Sequence, residues 1–113
     1  MIIKEVAQVA PEPVMPGVGI RWVLTQADGV PNYVMRVIEL APGTLFKPHH
    51  HPYEHEIYVL EGEGVLLDEQ GEVGSLHPGL AVFVPPDARH GYKNTGTGTL
   101  KFICVIPAKD SPR

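Results

Sequence analysis

A chain of 113 residues, 43% hydrophobic and 19% charged with a mean hydropathy of −0.01, has the size and composition of one soluble globular domain. That excludes a two-domain enzyme, a disordered tract and a helical membrane span. Nine Lys and Arg against thirteen Asp and Glu leave a net charge of −4, so no basic surplus exists to neutralise a phosphate backbone, and nucleic acid is not an expected partner.

Twelve glycines and twelve prolines punctuate the whole chain, which leaves hardly any room for a helix of average length. Between these breaks lie short β-branched and aromatic runs, the pattern of strands. In chain order they predict strands at Ile3–Val9, Ile20–Thr25, Asn32–Leu40, Leu45–His51 and Glu56–Glu61. Further strands are predicted at Val65–Asp68, Val73–Leu76, Leu80–Val84, Gly91–Lys93 and Thr99–Ile106. Turn pairs such as Pro42–Gly43, Gln70–Gly71 and Pro78–Gly79 separate them. Many short strands at regular spacing imply an all-β sandwich, barrel or jelly roll. Both faces of Tyr33–Leu40 are largely apolar, so the outer face calls for a cover, either another sheet of the same chain or a second protomer in a homodimer.

The chain has one cysteine, Cys104, so an intrachain disulfide, a four-cysteine zinc site and an iron–sulfur cluster are excluded. With no signal-peptide pattern after Met1, the expected location is the cytoplasm.

Five of six histidines fall in two places, His49–His50–His51 with His55, and His90. On a strand, residues two apart share a face, so His49 and His51 converge while His50 points away. Convergent imidazoles are metal ligands, and His55 and His90 would complete a site from neighbouring strands. A histidine-rich exposed loop without metal is the bland alternative.

The spacing then carries a resemblance. Gly43, five residues, His49-x-His51, three residues, His55, six residues and Gly62 resemble the first motif of the cupin superfamily, G-x5-H-x-H-x3-4-E-x6-G. Gly79, five residues, Pro85-x-Asp87-x2-His90-x3-Asn94 resemble the second, G-x5-P-x-G-x2-H-x3-N. The resemblance implies a single-domain cupin-type β-barrel, a double-stranded β-helix or jelly roll, spanning residues 1–113 with motifs at 43–62 and 79–94. Two positions depart from the pattern. Asp87 replaces a glycine and has to adopt a left-handed turn. His55 stands where the family has glutamate, and Glu56 is the competing ligand. The resemblance to four-histidine manganese cupins implies His49, His51, His55 and His90 as ligands of Mn or Fe, with Zn, Ni, Co and Cu also acceptable to imidazole.

Four neutral imidazoles leave a divalent ion its full charge, which favours a small anion or carboxylate in the open positions. Phe102, Cys104 and Ile106 share a face opposite Lys101, and line the substrate pocket or fill the core. Arg36 becomes an anion anchor if its strand phase turns it inward. Trp22, the only tryptophan, is expected in the core or a dimer interface, with stacking on a substrate as the alternative. No catalytic acid or base declares itself; Tyr53, Glu54 and Glu56 are near the histidines only in sequence. Fold and metal name no reaction. The readings are therefore a metal-dependent enzyme with dioxygenase- or decarboxylase-like chemistry, a non-catalytic metal-assisted anion-binding or sensor protein, and a structural metal.

Overall fold

The computed structural model describes residues 1–113 as ten strands with three single 3₁₀ turns. The strands are β1 (Glu12–Met15), β2 (Val18–Leu24), β3 (Tyr33–Leu40), β4 (Leu45–His49), β5 (His55–Glu61), β6 (Gly64–Asp68), β7 (Gly71–Leu76), β8 (Ala81–Val84), β9 (His90–Asn94) and β10 (Leu100–Pro107). Every pairing is antiparallel. One sheet has six strands in the order β1-β2-β3-β10-β5-β8, the other four in the order β4-β9-β6-β7.

This corrects the expected barrel. Neither sheet closes on itself: β1 and β8 are free edges of the larger sheet, β4 and β7 of the smaller. Closure needs a hydrogen-bonded ladder around the whole circumference. Here the larger and smaller sheets share none. The architecture is all-β with two open sheets.

The core lies between the inner faces. Strand β10 alternates strictly, with Leu100, Phe102, Cys104 and Ile106 buried and the residues between them partly exposed. Its register with β3 sets Phe102 opposite Ile38 and Cys104 opposite Arg36, so the inner face of β3 carries Val34, Arg36, Ile38 and Leu40. Asn94 holds the far end of the core. Its buried amide donates to the Leu40 and Gly98 carbonyls, and its side-chain oxygen accepts from the Gly96 N–H.

The N-terminal strand predicted at Ile3–Val9 does not form. Only a 3₁₀ turn, Val6–Gln8, appears there. The segment is fixed by side chains instead of a ladder: Lys4 donates to the Val23 carbonyl and pairs with Asp28, and Arg21 donates to the Ala7 and Val9 carbonyls. It runs beside Met35 and Val37, and so supplies part of the cover that the outer face of β3 requires. Strand β1, by contrast, escapes the sequence reading because Pro13 lies within it; an edge strand tolerates proline.

Candidate metal centre and its cavity

Strand pairing brings the histidines together. His49 ends β4 and His90 opens β9, directly opposite one another, with ring centroids 4.5 Å apart. The two strands approach closely at an irregularity between Phe46 and His49. Gly91 makes that approach possible, because a Cβ there would collide with the Phe46 carbonyl and the Pro48 nitrogen. His51 lies beyond the end of β4, so strand alternation does not place it. Its carbonyl accepts from the Asp87 N–H at 2.7 Å, and its ring stacks on Tyr53 with centroids 5.0 Å apart. Asp87 adopts φ 65°, the left-handed turn its place in the motif demands. His55 opens β5 and faces inward, with its ring 4.8 Å from His90 and 5.2 Å from His51.

Donor atoms of His49, His51 and His90 all lie within 4.8 Å of one another, so this cluster is able to coordinate a metal ion. His55 stands beside it. The tautomers suit ligation: Nδ1–H of His49 donates to the Lys47 carbonyl at 3.1 Å, and that of His90 to the Ala88 carbonyl at 2.9 Å. Each bond leaves Nε2 as the free lone pair. The Nε2 atoms of His55 and His90 are buried with no hydrogen-bond partner, on residues only 3% and 4% exposed. Buried polar atoms are nearly always satisfied, so a pair left open beside two further imidazoles fits an ion.

Burial also keeps these rings neutral. Desolvation, followed by repulsion from the other histidines and Arg36, pushes His51 down to about 4 and His55 to about 3. His49 and His90 are lowered chiefly by the same desolvation. Each is therefore in its metal-binding form at neutral pH.

Glu56 points the other way. It lies exposed on the outer face of β5, while its neighbours His55 and Ile57 are buried. His50 is exposed and meets Arg89 at 3.2 Å, and His77 is an exposed turn residue. Of the three pocket candidates on β10, Cys104 and Ile106 line the cavity that holds the histidines. Phe102 does not. It sits in the core under Tyr92, with ring centroids 4.8 Å apart.

That cavity measures about 260 Å³, and nine of its fifteen lining residues are hydrophobic. The strand phase left open for Arg36 resolves inward, and Trp22, expected in the core or a dimer interface, also meets the cavity. Trp22 lines it from β2, and Arg36 projects into it from the inner face of β3. A larger, open depression of about 710 Å³ along Pro11–Gly19 contains no titratable side chain.

Comparison with known proteins agrees with the fold. A family model described as a cupin domain matches residues 36–106. The chain is 37% identical over 70 residues to an oxalate-binding protein of Thermotoga maritima, covering 61% of this chain and 57% of that protein. Among solved structures, the polyketide cyclase RemF from Streptomyces resistomycificus superposes with a TM-score of 0.88 at 32% identity, covering 99% of this chain and 82% of RemF. A Thermotoga maritima protein described as a predicted oxalate decarboxylase superposes with a TM-score of 0.80 at 26% identity, covering 94% and 98%. The matched segments span 59% or less of the length of the curated relatives.

Proposed function

The chain belongs to the cupin family, and from that premise we propose that residues 1–113 form one cupin unit in which His49, His51, His55 and His90 hold a single divalent transition metal, Mn or Fe, beside a cavity for a small carboxylate or other oxygen-donor molecule. The observation that carries the reading is the pair of buried, unpartnered Nε2 atoms on His55 and His90 beside the other two rings. For His55 the ligating tautomer requires Nδ1–H, which donates to Cys104 Sγ at 3.3 Å. Arg36 Nη2, 3.4 Å from the same nitrogen, carries only hydrogens and cannot accept that proton. Cys104 therefore orients the fourth ligand.

A divalent ion held there supplies Lewis acidity toward a bound carboxylate or oxygenated ligand. The chain's own residues supply neutral donors, a largely apolar wall and the Arg36 cation. Two functional readings follow. One is an enzyme with dioxygenase- or decarboxylase-like chemistry. The other is metal-assisted binding without turnover, favoured by the character of the wall: Tyr53 and Tyr92 are its phenols, and burial raises both away from proton exchange near neutrality. The oxalate-binding relative supports the binding reading as well. A homodimer is part of the proposal, because Tyr33, Tyr58, Leu60 and Phe83 stand exposed on strands of the larger sheet. So is a cytoplasmic location, which suits the single free Cys104.

The test is elemental analysis of untagged protein purified without chelator, in parallel with His55→Ala and Glu56→Ala. Near-stoichiometric Mn or Fe, lost in His55→Ala and kept in Glu56→Ala, is expected. The reverse ranking transfers the ligand to Glu56, and absence of metal with no uptake on reconstitution defeats the centre. Sedimentation at micromolar concentration tests the dimer, and a monomer there refutes it.

A further inference from the structure

Arg36 is the one cation in the core, and it has no counter-charge. The residue is 8% exposed, yet none of the chain's ion pairs includes it. Its Nη2 donates to Cys104 Sγ at 2.9 Å and lies 3.4 Å from His55 Nδ1, both on neutral groups. Its Nε is buried with no acceptor, and Nη1 has none within the protein either. Trp22, the cross-strand neighbour of Arg36 in the β2–β3 register, lies with its ring 5.6 Å from the guanidinium carbon, and its own buried Nε1–H is unpartnered too. Two adjacent wall residues thus present donors and no acceptor. An isolated buried charge is strongly unfavourable unless something of opposite sign reaches it. The planar guanidinium fork matches a carboxylate.

We infer that Arg36 anchors the carboxylate of a small organic acid whose apolar body packs against the hydrophobic wall formed by Ile20, Trp22, Ile38 and Ile106. The wall decides the class of acid. A cavity of about 260 Å³ with nine hydrophobic lining residues has room for a ring or short chain, and in metal-free protein it offers the second carboxylate of a very small diacid no further cation, only neutral imidazoles and phenols. The ligand is accordingly an amphipathic monocarboxylate, a benzoate-like acid and not an oxalate-like one. This rests on the reading of the cavity as the ligand site, but it does not need the metal.

The experiment is calorimetric titration of metal-free and Mn-loaded protein with benzoate, benzamide and oxalate. In both forms benzoate is expected to bind at least about tenfold tighter than benzamide, the range of a lost charge-assisted hydrogen bond. It is also expected to bind tighter than oxalate in the metal-free form. Arg36→Gln should bring benzoate down to the benzamide level while Mn uptake persists, and Arg36→Lys should recover only part, because a point charge replaces the fork. Equal binding of benzoate and benzamide to the wild type overturns the inference without any variant. So does a folded Arg36→Gln protein that keeps benzoate affinity within about twofold, or oxalate preferred in the metal-free form, or no benzoate binding in either form. A chain that takes up no metal defeats the metal centre alone, since the contrast between benzoate and benzamide in metal-free protein is measured independently.

Discussion

Acid should unfold the metal-free protein well above the carboxylate range. The cause is the group of neutral, half- to fully buried imidazoles. In the folded chain His55 is pushed down to about 3, whereas in the unfolded chain it returns to the ordinary imidazole value of 6.5. Between those values the unfolded state binds a proton that the folded state refuses, so stability rises with pH through this window and falls as the solution is acidified. Above pH 6.5 neither state is protonated and the effect vanishes. The slope is about 1.4 kcal/mol per pH unit for each such group. From pH 6.5 to about 5, His55 alone removes roughly 2 kcal/mol. His49, His51 and His90 act with the same sign. A domain of this size has roughly 5–15 kcal/mol in total, so the loss is a large share. Urea unfolding at pH 7 and pH 5, followed by Trp22 fluorescence, measures it. His55→Gln should remove about 2 kcal/mol of the difference between the two pH values. Metal-free protein equally stable at both, or a His55→Gln variant with the full wild-type dependence, refutes the neutral, buried cluster.

Gly91→Ala should separate β4 from β9, because its Cβ meets backbone atoms of Phe46 and Pro48 that cannot rotate away. We expect a loss of about 2–4 kcal/mol in urea unfolding together with a sharp drop in metal uptake, and unchanged uptake contradicts the account of the strand approach. Asn94→Ala leaves the Leu40 carbonyl buried and the Gly96 turn uncapped, for a loss of about 2–3 kcal/mol by thermal or urea melts, with metal content per folded molecule unchanged. Phe102→Ala opens a void beneath Tyr92 and should cost about 3–5 kcal/mol in the same assay. A Phe102→Ala protein that loses ligand affinity without losing stability would return Phe102 to the cavity wall.

The histidine spacing was legible because the ligand types announce themselves and the motif glycines fix the turns between them. Asp87 is the sharpest instance, its left-handed φ of 65° foreseen from its place in a glycine position. Closure of the sheet was not legible. A list of strands says which segments extend, but not whether the outermost ones find partners, and here β1, β4, β7 and β8 remain edges. His51 reached the cluster by a route other than strand alternation. The strand stops at His49, and a backbone bond to Asp87 does the placing. Arg36 was hidden by a near tie. Both faces of β3 are apolar and each carries one charge, Arg36 or Glu39, so the pattern of that strand alone cannot choose between them. The choice comes from the register with β10: Lys101 lies opposite Glu39 on the outer face, which turns Arg36 toward Cys104 and the core. The N-terminal segment failed for a different reason: its residues suit a strand, but it joins no ladder and is held by the Lys4 and Arg21 side chains instead.

Arg36 and the histidine cluster are better understood as one site than as two. His55 Nδ1 lies 3.4 Å from Arg36 Nη2, so a divalent ion on the imidazoles and the guanidinium repel each other through a single ring. Neutral ligands do nothing to relieve this, and no carboxylate of the chain forms an ion pair with the guanidinium. An organic anion that satisfies the guanidinium lowers that repulsion, and the benefit is reciprocal by linkage. Whatever factor benzoate adds to metal affinity, the metal must add to benzoate affinity. A family that usually places a glutamate in this ligand set carries its compensating charge inside the protein. With His55 in that place, as proposed above, the compensating charge would be left for the ligand to bring. On that proposal His55 and the unpaired Arg36 are two halves of one electrostatic arrangement, in which the negative position is reserved for the guest.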